Sequence, residues 1–252
     1  MSADLRYHAT TLKPRHAAGA FGFLKQSMRK LIQNLSPKAE FIVVAVICFS
    51  YTVVSSLYVL LSGVKRVELN SARVFRAIAV EVFILAAVAI ILGIRGWRPQ
   101  RLGLKFSWRL AAAGVPLFIF YLLLYWIAAT LALLVYPAAR TISVFQLVNR
   151  APFWLIVIFS IVNSFFEEIS VSAYVIEVLS REGAGVAVTA STLLRFSYHL
   201  YQGPVASLSI IPLGLLFAGI YWRGRNVWPL VVAHTIANVV VFALNTAGPA
   251  NS

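Results

Sequence analysis

Residues 151–180 read APFWLIVIFSIVNSFFEEISVSAYVIEVLS, an apolar run with two adjacent carboxylates, Glu167 and Glu168, near its middle. Crossing the ~30 Å hydrocarbon core of a bilayer takes about 20 helical residues, and this run exceeds that. It lacks the strict alternation of a barrel strand, so a helix is the only spanning structure open to it. Counted as 152–180, it is the fourth of seven apolar stretches, the others lying at roughly 39–62, 77–94, 110–136, 184–202, 205–222 and 227–245. The sequence therefore predicts an all-α fold, a polytopic transmembrane helical bundle of about seven to eight spans.

Composition agrees. Of 252 residues 60% are hydrophobic and 12% charged, and the mean hydropathy is +0.84. Soluble domains carry about 25% charged residues. Half that charge does not cover a water-soluble globule of this size, which excludes a soluble enzyme and a disordered chain. Cys48, the single cysteine, lies inside an apolar run and excludes a disulfide scaffold. The net charge of +14 comes from basic residues clustered between the apolar stretches. With no nucleic-acid-binding motif beside them, they read as topology determinants and contacts to membrane lipid, and nucleic acid is not expected as a partner.

With the N-terminus inside, fifteen Lys and Arg fall on the inner side and six on the outer. That asymmetry predicts a cytoplasmic N-terminus, and the expected location is a bacterial inner (plasma) membrane. Trp97, Trp108, Trp222 and Trp228 stand at span edges, as in an aromatic belt. Residues 1–38 form a basic arm without a secretory signal pattern. Within it Phe21–Ile32 mixes apolar and basic residues at near-helical spacing, which fits an interfacial helix or a solvated arm equally well. Residues 39–245 make one bundle, with the chemistry concentrated in 150–245, and 246–252 are a short polar tail. There is no internal repeat and no inverted pair of broken helices.

Ionisable groups in hydrocarbon cost ~2.5–3.5 kcal/mol each on insertion scales, so each requires a reason. Besides the two glutamates, the fifth stretch holds Arg195 and His199, and the seventh holds His234 and Asn238. Arg195 and His199 are four residues apart, as are His234 and Asn238, and Glu168 and Ser172, so each pair shares a helix face. Glu167 and Glu168 point about 100° apart, so one can serve a cavity while the other pairs with a neighbouring helix. Two carboxylates this close in low dielectric call for a compensating cation, for which Arg195 is the candidate. A glutamate beside imidazoles suits activation of water. Glu81 and Glu177, near the ends of their stretches, read as helix–helix hydrogen bonds or interfacial anchors.

Glu167, His199 and His234 are also acceptable zinc ligands, but there is no HExxH and the three lie on separate spans. The pattern permits zinc without requiring any cofactor. A metal-free scheme works equally, with glutamate as base and histidine and asparagine as donors to an oxyanion. Gln202-Gly203-Pro204 breaks the helix three residues after His199, so His199 sits near a span end and Glu167 near a span centre. A break inside the bundle, lining a water-filled cavity, reconciles the two.

These residues resemble the CPBP family (CAAX protease and bacteriocin-processing, or Abi) of intramembrane proteases. Its first motif is two glutamates followed after three residues by arginine, and here it reads Glu167-Glu168-Ile-Ser-Val-Ser172. The second is a histidine with phenylalanine four residues earlier, and here it reads Arg195-Phe196-Ser197-Tyr198-His199. The third is His234-Thr-Ile-Ala-Asn238. The resemblance covers about 150–245 and departs from the family twice, with Ser172 in place of the arginine and Arg195 in place of the phenylalanine. It implies that Glu167 is the general base, that His199 shares its water, that His234 and Asn238 stabilise the oxyanion, and that Glu168 is a structural partner. Arg195 is then expected to supply the charge missing at Ser172. The implied reaction is hydrolysis of a peptide bond in or near the membrane, on prenylated C-termini or on leader or membrane peptides. The alternatives are a non-catalytic immunity or scaffold member and a proton-coupled carrier.

Overall fold

The computed structural model describes residues 26–63, 66–137 and 146–245. Residues 1–25 and 246–252, most of the basic arm and the tail, lie outside the described residues. Residues 26–33, the described end of the arm, are helical and almost wholly exposed. The first long helix, α1 (Pro37–Ser62), starts where Ser36 accepts from the Ala39 amide at 3.2 Å and Pro37 takes the first turn. It ends at Gly63, in the left-handed region at φ 67°. In α2 (Ser71–Ile94) Asn70 plays the same capping part, accepting from the Arg73 amide at 3.0 Å. The third span is a short α3 (Trp108–Ala112) leading into α4 (Gly114–Val135).

The signature stretch forms α5 (Phe153–Glu167), then a π-helical segment from Glu168 to Tyr174, then α6 (Val175–Leu179). There follow α7 (Ala184–His199), α8 (Pro204–Gly224) and α9 (Trp228–Leu244). All seven predicted stretches are helical. Five of the helical spans are long and apolar enough to cross a membrane. The other two are the apolar 17-residue α9 and the 16-residue α7, which reaches about 24 Å at 1.5 Å per residue. The chain is an integral membrane helical bundle.

One departure from a purely helical chain is a pair of short strands, β1 (Arg66–Leu69) and β2 (Gln146–Asn149), running parallel with Arg66 opposite Gln146 and Leu69 opposite Asn149. The Asn149 amide donates to the Asn245 carbonyl at 2.8 Å, which ties the pair to the end of α9.

Burial separates the spans into a frame and a centre. None of the apolar window of Trp108–Val135 is buried, against 56% for Phe153–Glu182. The protein interior is thus built by the signature helix with α7, α8 and α9, while α1, α2 and α4 flank it with apolar side chains facing outward. Close approach of helix to helix is enabled by glycine at two points among the described residues. A Cβ on Gly114 would stand 2.6 Å from Val232 Cβ, at the α4–α9 crossing, and one on Gly214 would stand 2.8 Å from Thr192 Cγ2, between α8 and α7.

Candidate active site

The π-helical segment begins at the second glutamate. Such widenings of a helix displace side chains relative to an α-helical register and leave main-chain carbonyls to be satisfied otherwise. Here Ser191 of α7 donates to the Val171 carbonyl at 2.9 Å, and Ser170 bonds back to the Phe166 carbonyl. The result is a buried stretch in which Glu168 is wholly inaccessible and Glu167 keeps a small exposed fraction.

Arg195, on α7, lies across both glutamates. It is 1% exposed, and it donates from one terminal nitrogen to Glu167 Oε2 at 3.1 Å and from the other to Glu168 Oε1 at 2.8 Å. The second nitrogen also reaches Ser172 Oγ at 3.2 Å. The guanidinium from the neighbouring helix therefore occupies the space beside the residue at which the family motif carries its own arginine. One guanidinium thus pairs with both carboxylates from the neighbouring helix.

The two carboxylates have different surroundings. Glu168 Oε1 also accepts from His234 Nδ1 at 2.8 Å, and its Oε2 accepts from Ser172 Oγ at 2.6 Å. Both of its oxygens are engaged by protein. Glu167 Oε2 accepts a second bond, from the Tyr198 hydroxyl at 2.5 Å, while its Oε1 has no protein partner among the described residues. Tyr198 is held in turn by stacking on Phe49, with ring centroids 6.1 Å apart and planes at 4°. Glu167 lines a cavity of about 540 Å³ and Glu168 does not, the division expected of adjacent helical residues.

His199, His234 and Asn238 line the same cavity, together with Arg195 and Asn163. The break after His199 is there too. Three residues of 3₁₀-helix and Gly203 at φ 87° separate α7 from α8, and Tyr201 and Gln202 face the cavity. His199 Nδ1 is 2.8 Å from the Arg195 carbonyl, which can only accept, so Nδ1 carries the hydrogen and Nε2 is the basic nitrogen. The carboxylate of Glu168 fixes His234 in the same tautomer. Asn238 donates to Asn163 Oδ1 at 2.9 Å, and Asn163 donates to Glu81 Oε1 at 2.9 Å. Phe118, Tyr121, Leu122 and Tyr125 of α4 and Leu213 and Phe217 of α8 form the apolar walls.

Two groups, Tyr198 and Asn163, were not assigned from sequence, and Glu81, expected near a span end as a helix–helix hydrogen bond or interfacial anchor, makes the helix–helix bond from elsewhere. Tyr198 stands inside the second motif, three residues after Arg195. Asn163 stands four residues before Glu167 and so on its face. Glu81 falls in the middle of α2 and not at a span end, because the helix begins at Ser71, under the polar residues SARVFR. Glu177 does act as a helix–helix anchor, accepting from Arg225 at 2.6 Å.

Glu167, His199 and His234 are not placed to hold a zinc ion together: among the described residues no three His, Cys, Asp or Glu side chains form a group that could hold a metal.

No curated protein and no solved structure matches the chain. Residues 149–240, which carry all three motifs, match the family model Rce1-like, described as type II CAAX prenyl endopeptidase Rce1-like, a match over about a third of the chain that agrees with the CPBP/CAAX protease resemblance of those motifs.

Proposed function

We propose that the chain is an intramembrane endopeptidase in which Glu167 activates water for attack on a peptide bond. One observation carries the reading. Glu167 is pinned through a single oxygen, by Arg195 at 3.1 Å and Tyr198 at 2.5 Å, while its other oxygen is left without a protein partner on a cavity shared with two histidines and an asparagine. A base has to be held and yet keep an open acceptor, and this arrangement does both.

The chemistry follows from the donors and acceptors. Water in the cavity gives one hydrogen to Glu167 Oε1 and points the other at His199 Nε2. Its oxygen adds to the scissile carbonyl carbon, and the carbonyl oxygen takes up the negative charge. Asn238 offers the amide hydrogen that Asn163 does not use. His234 donates from Nε2 only with both ring nitrogens protonated, since Nδ1–H is committed to Glu168. The proton held by Glu167 then passes to the leaving nitrogen as the C–N bond breaks, and no covalent acyl-enzyme forms. Glu168 takes no proton in this scheme; it holds Arg195, His234 and Ser172 together.

The walls favour a substrate with bulky apolar groups next to the scissile bond, presented from the membrane, whether a lipidated C-terminus or a membrane peptide. A scaffold protein without catalysis drew its support from the missing arginine at Ser172, and the pairing of Arg195 with both glutamates weighs against it. Quantitative N-terminal peptide profiling compares membranes from cells making wild-type or Glu167→Gln protein at matched levels. New N-termini that depend on Glu167 are expected. Identical profiles, with both proteins folded, return the scaffold reading.

A further inference from the structure

A chain of hydrogen bonds runs from the frame of the bundle into the cavity: Glu81 on α2, Asn163 on α5 and Asn238 on α9. Glu81 is mostly shielded, has no cation partner among the described residues, and buries Oε2 with no hydrogen bond there. An unsatisfied buried polar atom costs about 1–3 kcal/mol. As helix–helix glue alone, a neutral amide would bind Asn163 as well without a charge in the membrane. What a carboxyl adds is polarity. Its Oε1 accepts, as a carboxylate or as an acid protonated on Oε2, so Asn163 must turn its NH₂ toward α2. Asn163 Oδ1 is then an acceptor facing α9, and Asn238 must turn its own NH₂ toward it. One hydrogen of that nitrogen is consumed, and the other remains at a fixed place on the cavity wall.

We propose that Glu81 and Asn163 are positioning residues, which orient the Asn238 amide so that its nitrogen and not its carbonyl serves the oxyanion. This rests on the protease reading above. Without the relay, Asn238 is free to turn by 180° and present an acceptor to a developing negative charge.

The test is a kinetic cycle on the full-length protein in detergent or proteoliposomes, using a quenched peptide built around a cleavage site found by profiling. Losing one oxyanion donor costs on the order of 10²–10³ in kcat, so loosening it by Asn163→Leu should lower kcat about 10- to 100-fold, with KM little changed. In an Asn238→Ala background the same substitution should cost nothing more, because a residue acting only through Asn238 has nothing left to orient. Glu81→Leu, outside the cavity lining, should behave like Asn163→Leu, and Glu81→Gln, which retains an accepting oxygen, should recover part of the loss. An equal further loss in the Asn238→Ala background, a loss confined to KM, or unchanged kcat overturns the proposal while leaving the protease reading intact. A wild-type protein without Glu167-dependent cleavage overturns both.

Discussion

Exchanging the two family departures is the sharpest perturbation this site offers. Arg195 is 1% exposed and is the cation between two buried carboxylates, at 3.1 Å and 2.8 Å, with Ser172 Oγ 3.2 Å from the same guanidinium. Arg195→Phe, the family residue at that place, leaves Glu167 and Glu168 adjacent and uncompensated. Removing one partner of a buried ion pair costs about 3–5 kcal/mol, and at roughly 2–4 °C per kcal/mol for a chain of this size the midpoint should fall by on the order of 10 °C. Ser172→Arg alone forces a second guanidinium against the first at a wholly buried position, and should also destabilise. Together the two substitutions move the charge from one helix to the other and should recover most of the stability and of the Glu167-dependent cleavage. Thermal unfolding in detergent and cleavage of a membrane substrate read the two quantities separately. The compensation argument is refuted if the double variant is as damaged as the worse single one, or if Arg195→Phe retains both properties.

Three further outcomes are expected. Glu167→Gln should lower cleavage by about 10²–10⁴, the usual contribution of a general base, in protein that still elutes as a single folded species. Tyr198→Phe removes the 2.5 Å bond to Glu167 but keeps the stack on Phe49; a bond to a charged group is worth about 1.5–3 kcal/mol, so a melting midpoint lowered by roughly 3–12 °C together with a kcat lowered at least ~10-fold is the signature to look for. Gly114→Leu puts a side chain where Val232 Cβ is 2.6 Å and the Pro229 carbonyl 2.7 Å from an added Cβ, so α4 must part from α9, whereas Gly93→Leu on α2 meets nothing within 4 Å. A drop in stability of about 1–3 kcal/mol for the first and none for the second is expected from overpacking, and equal midpoints would speak against the α4–α9 contact.

Legibility in the sequence followed the range of the interaction that decides each feature. Apolar length located all five helices long and apolar enough to cross a membrane, because insertion depends on composition summed along the chain. The motif residues were also visible, since charges in hydrocarbon stand out wherever they lie. The partners were not. Tyr198 and Asn163 are ordinary residues for their helices, and only the fold shows that one bonds Glu167 and the other links Asn238 to Glu81. The π-helical segment escaped because EISVSAY carries no local mark of a wider turn; the carbonyl of Val171 is satisfied by Ser191, twenty residues away on another helix. The parallel pairing of β1 and β2 joins segments separated by eighty residues, beyond the reach of any local pattern.

The placement of the arginine on α7 has a consequence for assembly. In the family pattern the cation lies four residues after the second glutamate, so a single helix carries its own compensation. Here a signature helix inserted alone would hold two uncompensated carboxylates in hydrocarbon, at ~2.5–3.5 kcal/mol each. They gain their shared cation, and Glu167 its tyrosine donor, when α7 docks and brings Arg195 and Tyr198. The contacts that hold the candidate base are thus the contacts that join the two helices. A protein that has not packed α7 against the signature helix has neither a compensated charge nor an oriented Glu167, so the proposed water-activating arrangement arises together with the tertiary fold and not before it.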